Sequence, residues 1–261
     1  MRIITHLKSL IPLLALSLGS AAAGGRLPPL LEAARKADSH VLLTVLNQGV
    51  NVNEPEADGT TALHWASYLD DMESANLLIS AGARVNATND LGASPLWVAS
   101  QNGSTAMVGR LLEAGADPNI ELLLGETPLM VASRSGFPKV VKQLLAKGVD
   151  VNARAARGQT ALMWAVAQKH ADVVQLLVNS KADIHARSEV WDQIMAAPPH
   201  GLPEYNRRIP HGGNTALLFA ARVGDLPSAK LLVDSGSNVN DVNAWGVSVT
   251  VLAAHSGHQE F

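Results

Sequence analysis

The chain has 261 residues, of which 47% are hydrophobic, so it can bury a substantial core. Its 20 Lys and Arg against 23 Asp and Glu give a net charge of −3, which offers no basic stripe for a phosphate backbone. Nucleic acid is therefore not expected as a partner. Cysteine is absent, which excludes disulfides, cysteine nucleophiles and cysteine metal ligands.

The amino terminus has the parts of a secretory signal peptide over residues 1–23. Arg2 and Lys8 precede an apolar stretch at 10–18, and three alanines follow at 21–23. The apolar stretch is short for a membrane span, which favours cleavage over an uncleaved anchor or a buried first helix. Export without any cysteine is compatible with the bacterial periplasm, so we expect a secreted or periplasmic protein.

From Gly59 onwards the sequence repeats with a period of 33 residues. The copies begin with GTTALHWAS at 59, GASPLWVAS at 92, GETPLMVAS at 125, GQTALMWAV at 158, GNTALLFAA at 213 and GVSVTVLAA at 246. Only the interval between 158 and 213 differs, because it contains 22 extra residues. Extrapolating backwards by one period finds a further copy that begins near Arg26. A period of this length indicates a stacked array rather than one globular core.

Each repeat is predicted to form two short antiparallel helices followed by an extended finger turn. Thr or Ser two residues after the glycine is a good helix N-cap, and Pro95 and Pro128 suit the first helical position. The second helix carries a buried apolar pair such as Leu144 and Leu145, and a glycine such as Gly148 can form its left-handed cap. One helix pair cannot bury its own apolar face, so the repeats must stack.

The repeat resembles the ankyrin repeat, whose signature begins T-P-L-H-x-A. The segments that carry the resemblance are TALHWA at 61–66, SPLWVA at 94–99, TPLMVA at 127–132, TALMWA at 160–165 and TALLFA at 215–220. The resemblance implies an all-α ankyrin repeat solenoid over 24–261. Its repeats 1 to 7 would lie near 26–58, 59–91, 92–124, 125–157, 158–187, 213–245 and, as a partial copy, 246–261. The partial copy stops before a second helix, so we expect that the natural chain continues or that this end frays or pairs with something.

The resemblance implies a non-enzymatic scaffold that binds another protein through a concave face and finger loops, and we expect a monomer. No common catalytic or nucleotide-binding motif is present, so no catalytic residue, cofactor or metal ligand is predicted. His64 matches the signature histidine, which in the family hydrogen-bonds the turn of its own or the next repeat. Its counterparts in the later repeats are Trp97, Met130, Met163 and Leu218, so we interpret His64 as structural. His170 and His258 likewise match a helix-turn histidine of the family.

Ankyrin relatives contact partners late in the first helix and at the finger tips. Carried over by register, these positions are Tyr68, Leu69, Arg134 and Arg222 on the helices and Leu123, Leu124, Arg157 and Trp245 on the fingers. The run Leu122, Leu123 and Leu124 occupies a turn that is normally polar, which indicates an interaction site. Folding back onto the neighbouring finger is the alternative.

The extra residues lie within 188–212, between repeats 5 and 6. A loop of this length without a regular pattern is either functional or loosely ordered. It carries a mix of residue types that is favoured in binding surfaces, namely Trp191, Tyr205, Arg207, Arg208, His200 and His211. The insertion also leaves open an enzyme-accessory or small-ligand-binding protein, and a third possibility is a secreted effector that acts inside a host cell.

Overall fold

The computed structural model describes residues 27–196 and 206–261. Within these ranges the chain forms thirteen α-helices, one two-stranded sheet and a short 3-10 turn at Ala156–Gly158. The predicted pairs of short helices are present in repeats 1 to 6, and repeat 7 has a first helix. The first helices are α1 Pro29–Arg35, α3 Ala62–Tyr68, α5 Pro95–Asn102, α7 Pro128–Ser135, α9 Ala161–Ala167, α11 Ala216–Val223 and α13 Val249–His255. The second helices are α2 Ser39–Leu46, α4 Met72–Ser80, α6 Thr105–Glu113, α8 Pro138–Leu145, α10 Ala171–Asn179 and α12 Leu226–Asp234.

Side-chain caps explain where the helices begin. At the start of α5 the Ser94 hydroxyl accepts a hydrogen bond from the backbone N–H of Trp97, at 3.2 Å. Thr160 does the same for Met163 at the start of α9, at 3.4 Å. These bonds satisfy N–H groups that have no partner within the helix. The N-cap prediction is therefore confirmed at these repeats.

The described residues form two compact bodies, 27–132 with 146–149, and 133–145 with 150–196 and 206–261. In the first body α3 packs against α1 and α5, while α4 packs against α2 and α6. In the second body α11 packs against α9 and α13, while α10 packs against α8 and α12. Each body is thus a layer of first helices backed by a layer of second helices. Fully buried alanines such as Ala66 and Ala220 let the first helices approach closely.

Asparagine side chains join consecutive finger turns in both bodies. Asn53 donates to the carbonyl of Gly82 at 3.2 Å and accepts from the N–H of Arg84 at 2.7 Å. Asn86 and Asn152 repeat this pattern one and three repeats later. The third bridge reaches Lys181, which adopts the left-handed conformation (φ 68°) without being glycine. The bridge therefore survives where the repeat lacks its usual glycine.

Gly136, which follows α7, gives a test of the joint between repeats 4 and 5. Its φ is +75°, and an added Cβ would lie 2.5 Å from the ring of His170. Gly136→Ala is expected to cost about 1–2 kcal/mol in backbone strain, and about 1 kcal/mol more because the displaced ring loses its hydrogen bond. Gly148→Ala is the matched control, since Gly148 has a φ of +73° and open space around its Cβ position. Denaturant unfolding of both variants checks the difference, and equal costs would show that the His170 contact is unimportant.

The ends of the insertion form an antiparallel hairpin, which differs from the irregular loop that its length suggested. Strand β1 is Trp191–Ala196 and strand β2 is Asn206–His211, with Trp191 opposite His211 and Gln193 opposite Ile209. The sequence left the order of the insertion open, because the strand pairing joins residues that are distant in sequence and the prolines obscure any alternation. The predicted site residue Tyr205 lies outside the described residues.

Candidate partner-binding surfaces

His64 has a structural role, as predicted. Its Nε2 donates to the carbonyl oxygen of Ala93 in the next repeat, at 2.9 Å. Its Nδ1 accepts from the backbone N–H and the hydroxyl of Thr61, at 3.1 and 2.8 Å, which caps α3. These bonds fix a neutral ring, because a charged imidazolium has no acceptor nitrogen. Burial lowers the pKa of His64 to about 4, and the bond to Ala93 offsets only part of that effect.

His170 and His258 also hold neighbouring repeats together. The Nε2 of His170 donates to the carbonyl of Arg134 at 3.1 Å, and that of His258 donates to the carbonyl of Arg222 at 3.3 Å. Each ring lies against the glycine that ends the preceding first helix. The structural interpretation of both histidines is confirmed. Among the described residues, no group of three or more His, Asp or Glu side chains is arranged to hold a metal ion.

The leucine finger of the first body, residues 122–124, divides into a packed part and an exposed part. Leu122 packs against a buried cluster that includes Trp97 and Val131. Leu123 and Leu124 are 75% and 72% exposed, although the N–H of Leu123 bonds the carbonyl of Leu91 at 3.0 Å. Folding back onto the repeat therefore accounts for Leu122 and leaves its two neighbours open to solvent.

Two arginines near the ends of first helices lie over tryptophan rings, and these tryptophans were not among the predicted site residues. The Arg134 guanidinium lies 4.5 Å above the ring of Trp164, thirty residues further along the chain. Arg35 lies 4.9 Å above Trp65 with the same separation in sequence. Both pairs have the same spacing in the sequence, and this spacing could have identified them. Cation–π contact holds each guanidinium over an indole ring.

The other first-helix candidates are partly engaged in their own repeats. Tyr68 packs its edge on Trp65, with ring centroids 6.0 Å apart, while Leu69 is 40% exposed. Arg222 lies over Phe219 and donates to Asn214, and burial lowers the pKa of its guanidinium. Of the four helix positions, the exposed Leu69 is therefore the freest to meet a partner.

The hairpin brings together three predicted site residues, Arg157, Trp191 and Trp245, and places His211 among them. The Trp191 ring stacks on His211 with centroids 4.7 Å apart and planes 22° apart. The Arg157 guanidinium carbon lies 4.6 Å from the Trp191 ring centre, and the Trp245 ring centre lies 6.0 Å from that of His211. We call these four groups the finger-tip pile. Arg207 lies in β2 opposite Met195.

Backbone and arginine contacts fix the hairpin between two fingers of the second body. Arg187 donates to the carbonyls of Gly213 and Val242, at 2.9 and 2.7 Å, and forms a salt bridge with Asp241 at 2.7 Å. On the other side the N–H of Glu189 bonds the carbonyl of Arg157 at 2.8 Å. The base of the hairpin is thus held by both neighbouring fingers, which sets the geometry of the pile.

Comparison with known proteins agrees with the helical architecture. The family described as "Ankyrin repeats (3 copies)" matches residues 30–122 and 96–188, and "Ankyrin repeat" matches 212–244. The chain therefore belongs to the ankyrin repeat family, and the prediction of an all-α ankyrin solenoid is confirmed.

The crystal structure of the human ASB11 ankyrin repeat domain is similar, with 30% sequence identity and a TM-score of 0.71. The match covers 87% of this chain and 91% of that domain. No protein with a curated description matched. Ankyrin repeats are generally scaffolds for protein–protein interaction and are typically non-enzymatic. Over 27–196 and 206–261, every helix is too short or too polar to span a membrane.

Proposed function

We propose that the protein is an exported, non-enzymatic scaffold that binds another protein through its finger loops and the exposed ends of its first helices. The observation that carries the proposal is the pair Leu123 and Leu124, which are 75% and 72% exposed at a finger tip. Adjacent exposed leucines on a fixed turn have no role in the core. Their burial against a partner supplies about 1.5–3 kcal/mol per side chain.

The turn that presents these leucines is already ordered. The N–H of Leu122 bonds the carbonyl of Glu126 at 3.0 Å, and the N–H of Gly125 bonds the carbonyl of Leu122 at 2.8 Å. A fixed turn loses little conformational entropy on binding, so more of the burial energy appears as affinity. This arrangement supports recognition of another protein by the finger.

The alternative role in small-ligand binding or as an enzyme accessory has less support. It depended on the aromatic and histidine content of the insertion. In the hairpin the Trp191 ring is occupied by Arg157 and His211, so these groups cover one another rather than line an enclosed site. The effector possibility concerns the place of action and is compatible with the same scaffold.

Changing both exposed leucines tests the binding surface. Leu123→Ser with Leu124→Ser is expected to abolish partner capture from the native compartment, because the apolar contact is lost. Helical content should stay unchanged, since neither side chain contributes to the core. Leu43→Ser is the matched control, as Leu43 is a partly exposed leucine on a second helix. Capture measured by mass spectrometry that survives the double change would remove the finger from the proposed interface.

Export has a separate test, because its support is the amino-terminal pattern alone. The full chain with residues 1–23 is expected outside the cytoplasm, with a mature protein that begins near Gly24. Fractionation followed by amino-terminal sequencing measures both. Recovery of soluble cytoplasmic protein that still begins with Met1 would contradict export and leave the scaffold proposal untouched.

A further inference from the structure

The finger-tip pile is closed in the middle and open at both ends. Trp191 and His211 stack on each other and are half-buried. At one end Arg157 is exposed and forms no salt bridge within the described part of the chain. At the other end Trp245 is 55% exposed. The pile therefore presents a cation and an aromatic face to solvent, joined by two rings that hold them in place.

Both open ends are fixed by backbone contacts. The N–H of Trp245 bonds the Asn243 side chain at 2.9 Å, and the N–H of Ala244 bonds the carbonyl of Gly212 at 3.1 Å. The carbonyl of Arg157 accepts a hydrogen bond from the N–H of Glu189. An exposed arginine and tryptophan held in this way lose little freedom on binding, and these two residue types dominate many interfaces.

Among the described residues around the pile, Arg157 forms no salt bridge, and Arg154 donates to the carbonyl of Arg187. Arg187 is paired with Asp241, and Arg208 lies 4.0 Å from Asp192 on the other face of the hairpin. Trp191 covers one face of the Arg157 guanidinium. The N–H groups at the edge of a guanidinium stacked in this way remain able to bind a carboxylate as a bidentate pair.

We propose that the finger-tip pile binds an extended acidic segment of another protein, with a carboxylate on Arg157 and an aromatic side chain on Trp245. This inference rests on the scaffold function and assigns the chemistry of one partner segment. The successive separations of 4.6, 4.7 and 6.0 Å place the two ends at most about 15 Å apart. In an extended segment, side chains two or four positions apart point the same way and lie about 7 or 13 Å from each other. The segment thus carries its carboxylate and its aromatic residue at one of these spacings.

A single-stranded nucleic acid also offers anions and stacking faces, but the surroundings disfavour it. The chain has a net charge of −3, and Arg187 and Arg208 at the hairpin are already paired with Asp241 and Asp192. These pairs leave a phosphate backbone without a basic stripe among the described residues around the pile. A peptide meets Arg157 with a single carboxylate.

Selection from random linear peptides displayed on phage tests the proposal with the full chain. We expect the enriched peptides to carry Asp or Glu two or four positions from an aromatic residue. The best peptide, synthesised with a fluorescent label, should bind Arg157→Glu and Trp245→Ser at least about tenfold more weakly than the unchanged chain. Arg208→Glu is the matched control, because it makes the same charge reversal on the other face of the hairpin, and it should leave affinity unchanged.

Charge exchange separates recognition from a general loss of folding. The same peptide with Lys in place of its acidic residue should bind Arg157→Glu more tightly than it binds the unchanged chain. The proposal is overturned if no peptide is enriched, if the enriched peptides lack a carboxylate or if the variants bind equally. Competition by single-stranded oligothymidine at equal concentration would assign the pile to nucleic acid instead. Each of these results leaves the Leu123 and Leu124 test of the scaffold function intact.

Discussion

Leu144→Ala is expected to lower the free energy of unfolding by about 2–5 kcal/mol, among the larger costs of a single substitution. Leu144 lies in α8 and is fully buried. In the second body α8 packs against α10, so the shortened side chain leaves a cavity that two helix backbones must either keep or close. The cost combines the lost burial of the leucine with the lost contacts of the side chains around it.

The position of Leu144 adds an effect on cooperativity. Residues of repeat 4 belong to both compact bodies, and in a repeat array stability is passed between neighbours only. Weakening this repeat should therefore split one unfolding transition into two. Denaturant unfolding followed by circular dichroism measures both the cost and the number of transitions.

Leu145→Ala is the control for Leu144→Ala. It removes the same atoms from the neighbouring position, which is only half-buried. We expect a cost of about 1 kcal/mol and a single transition. If the two variants lose equal stability, the burial of Leu144 is not what stabilises this repeat.

Local patterns in the sequence predicted most of the fold. The Thr and Ser caps and the glycines after the helices each act over a few residues, and the period of 33 residues repeats them along the chain. The structure has its helices at those places. His64 was interpretable for the same reason, because its role follows from its position in the repeat. Lys181 departs from the pattern and yet keeps the left-handed turn, since the Asn152 bridge supplies the support.

The hairpin and the pile depend on contacts that no local pattern encodes. Pairing of β1 with β2 joins residues 10 to 20 positions apart, and the stack of Arg157, Trp191 and His211 follows from that register. Sequence reasoning named Arg157, Trp191 and Trp245 as separate candidates but could not place them side by side. His211, which joins the two tryptophans, counted only towards the aromatic and histidine content of the insertion. Its position opposite Trp191 is known only once the strands are paired.

Acid is expected to destabilise the protein through His64. The folded-state pKa is about 4, below the ordinary value of 6.5 that the unfolded chain retains. Above the unfolded value both states are neutral, and the full stability is present. As the pH falls from 6.5 towards 4, the unfolded state binds a proton that the folded state excludes, so stability is lost. At about 1.4 kcal/mol per pH unit, the loss approaches 3 kcal/mol by the folded pKa.

The comparison that isolates this effect is between the unchanged chain and His64→Met, measured by denaturant unfolding from neutral pH to about pH 4. Methionine occupies the same position in repeats 4 and 5, as Met130 and Met163, so the site tolerates it and the variant has no proton to bind. Near neutral pH the variant should be less stable, because it loses the bonds to Thr61 and Ala93. As the pH falls the stability advantage of the histidine should shrink by about 3 kcal/mol, while the carboxylates titrate equally in both chains and cancel. A difference that stays constant over this range would mean that His64 is protonated in the folded state as readily as in the unfolded one. The neutral hydrogen-bonding arrangement between Thr61 and Ala93 would then be wrong.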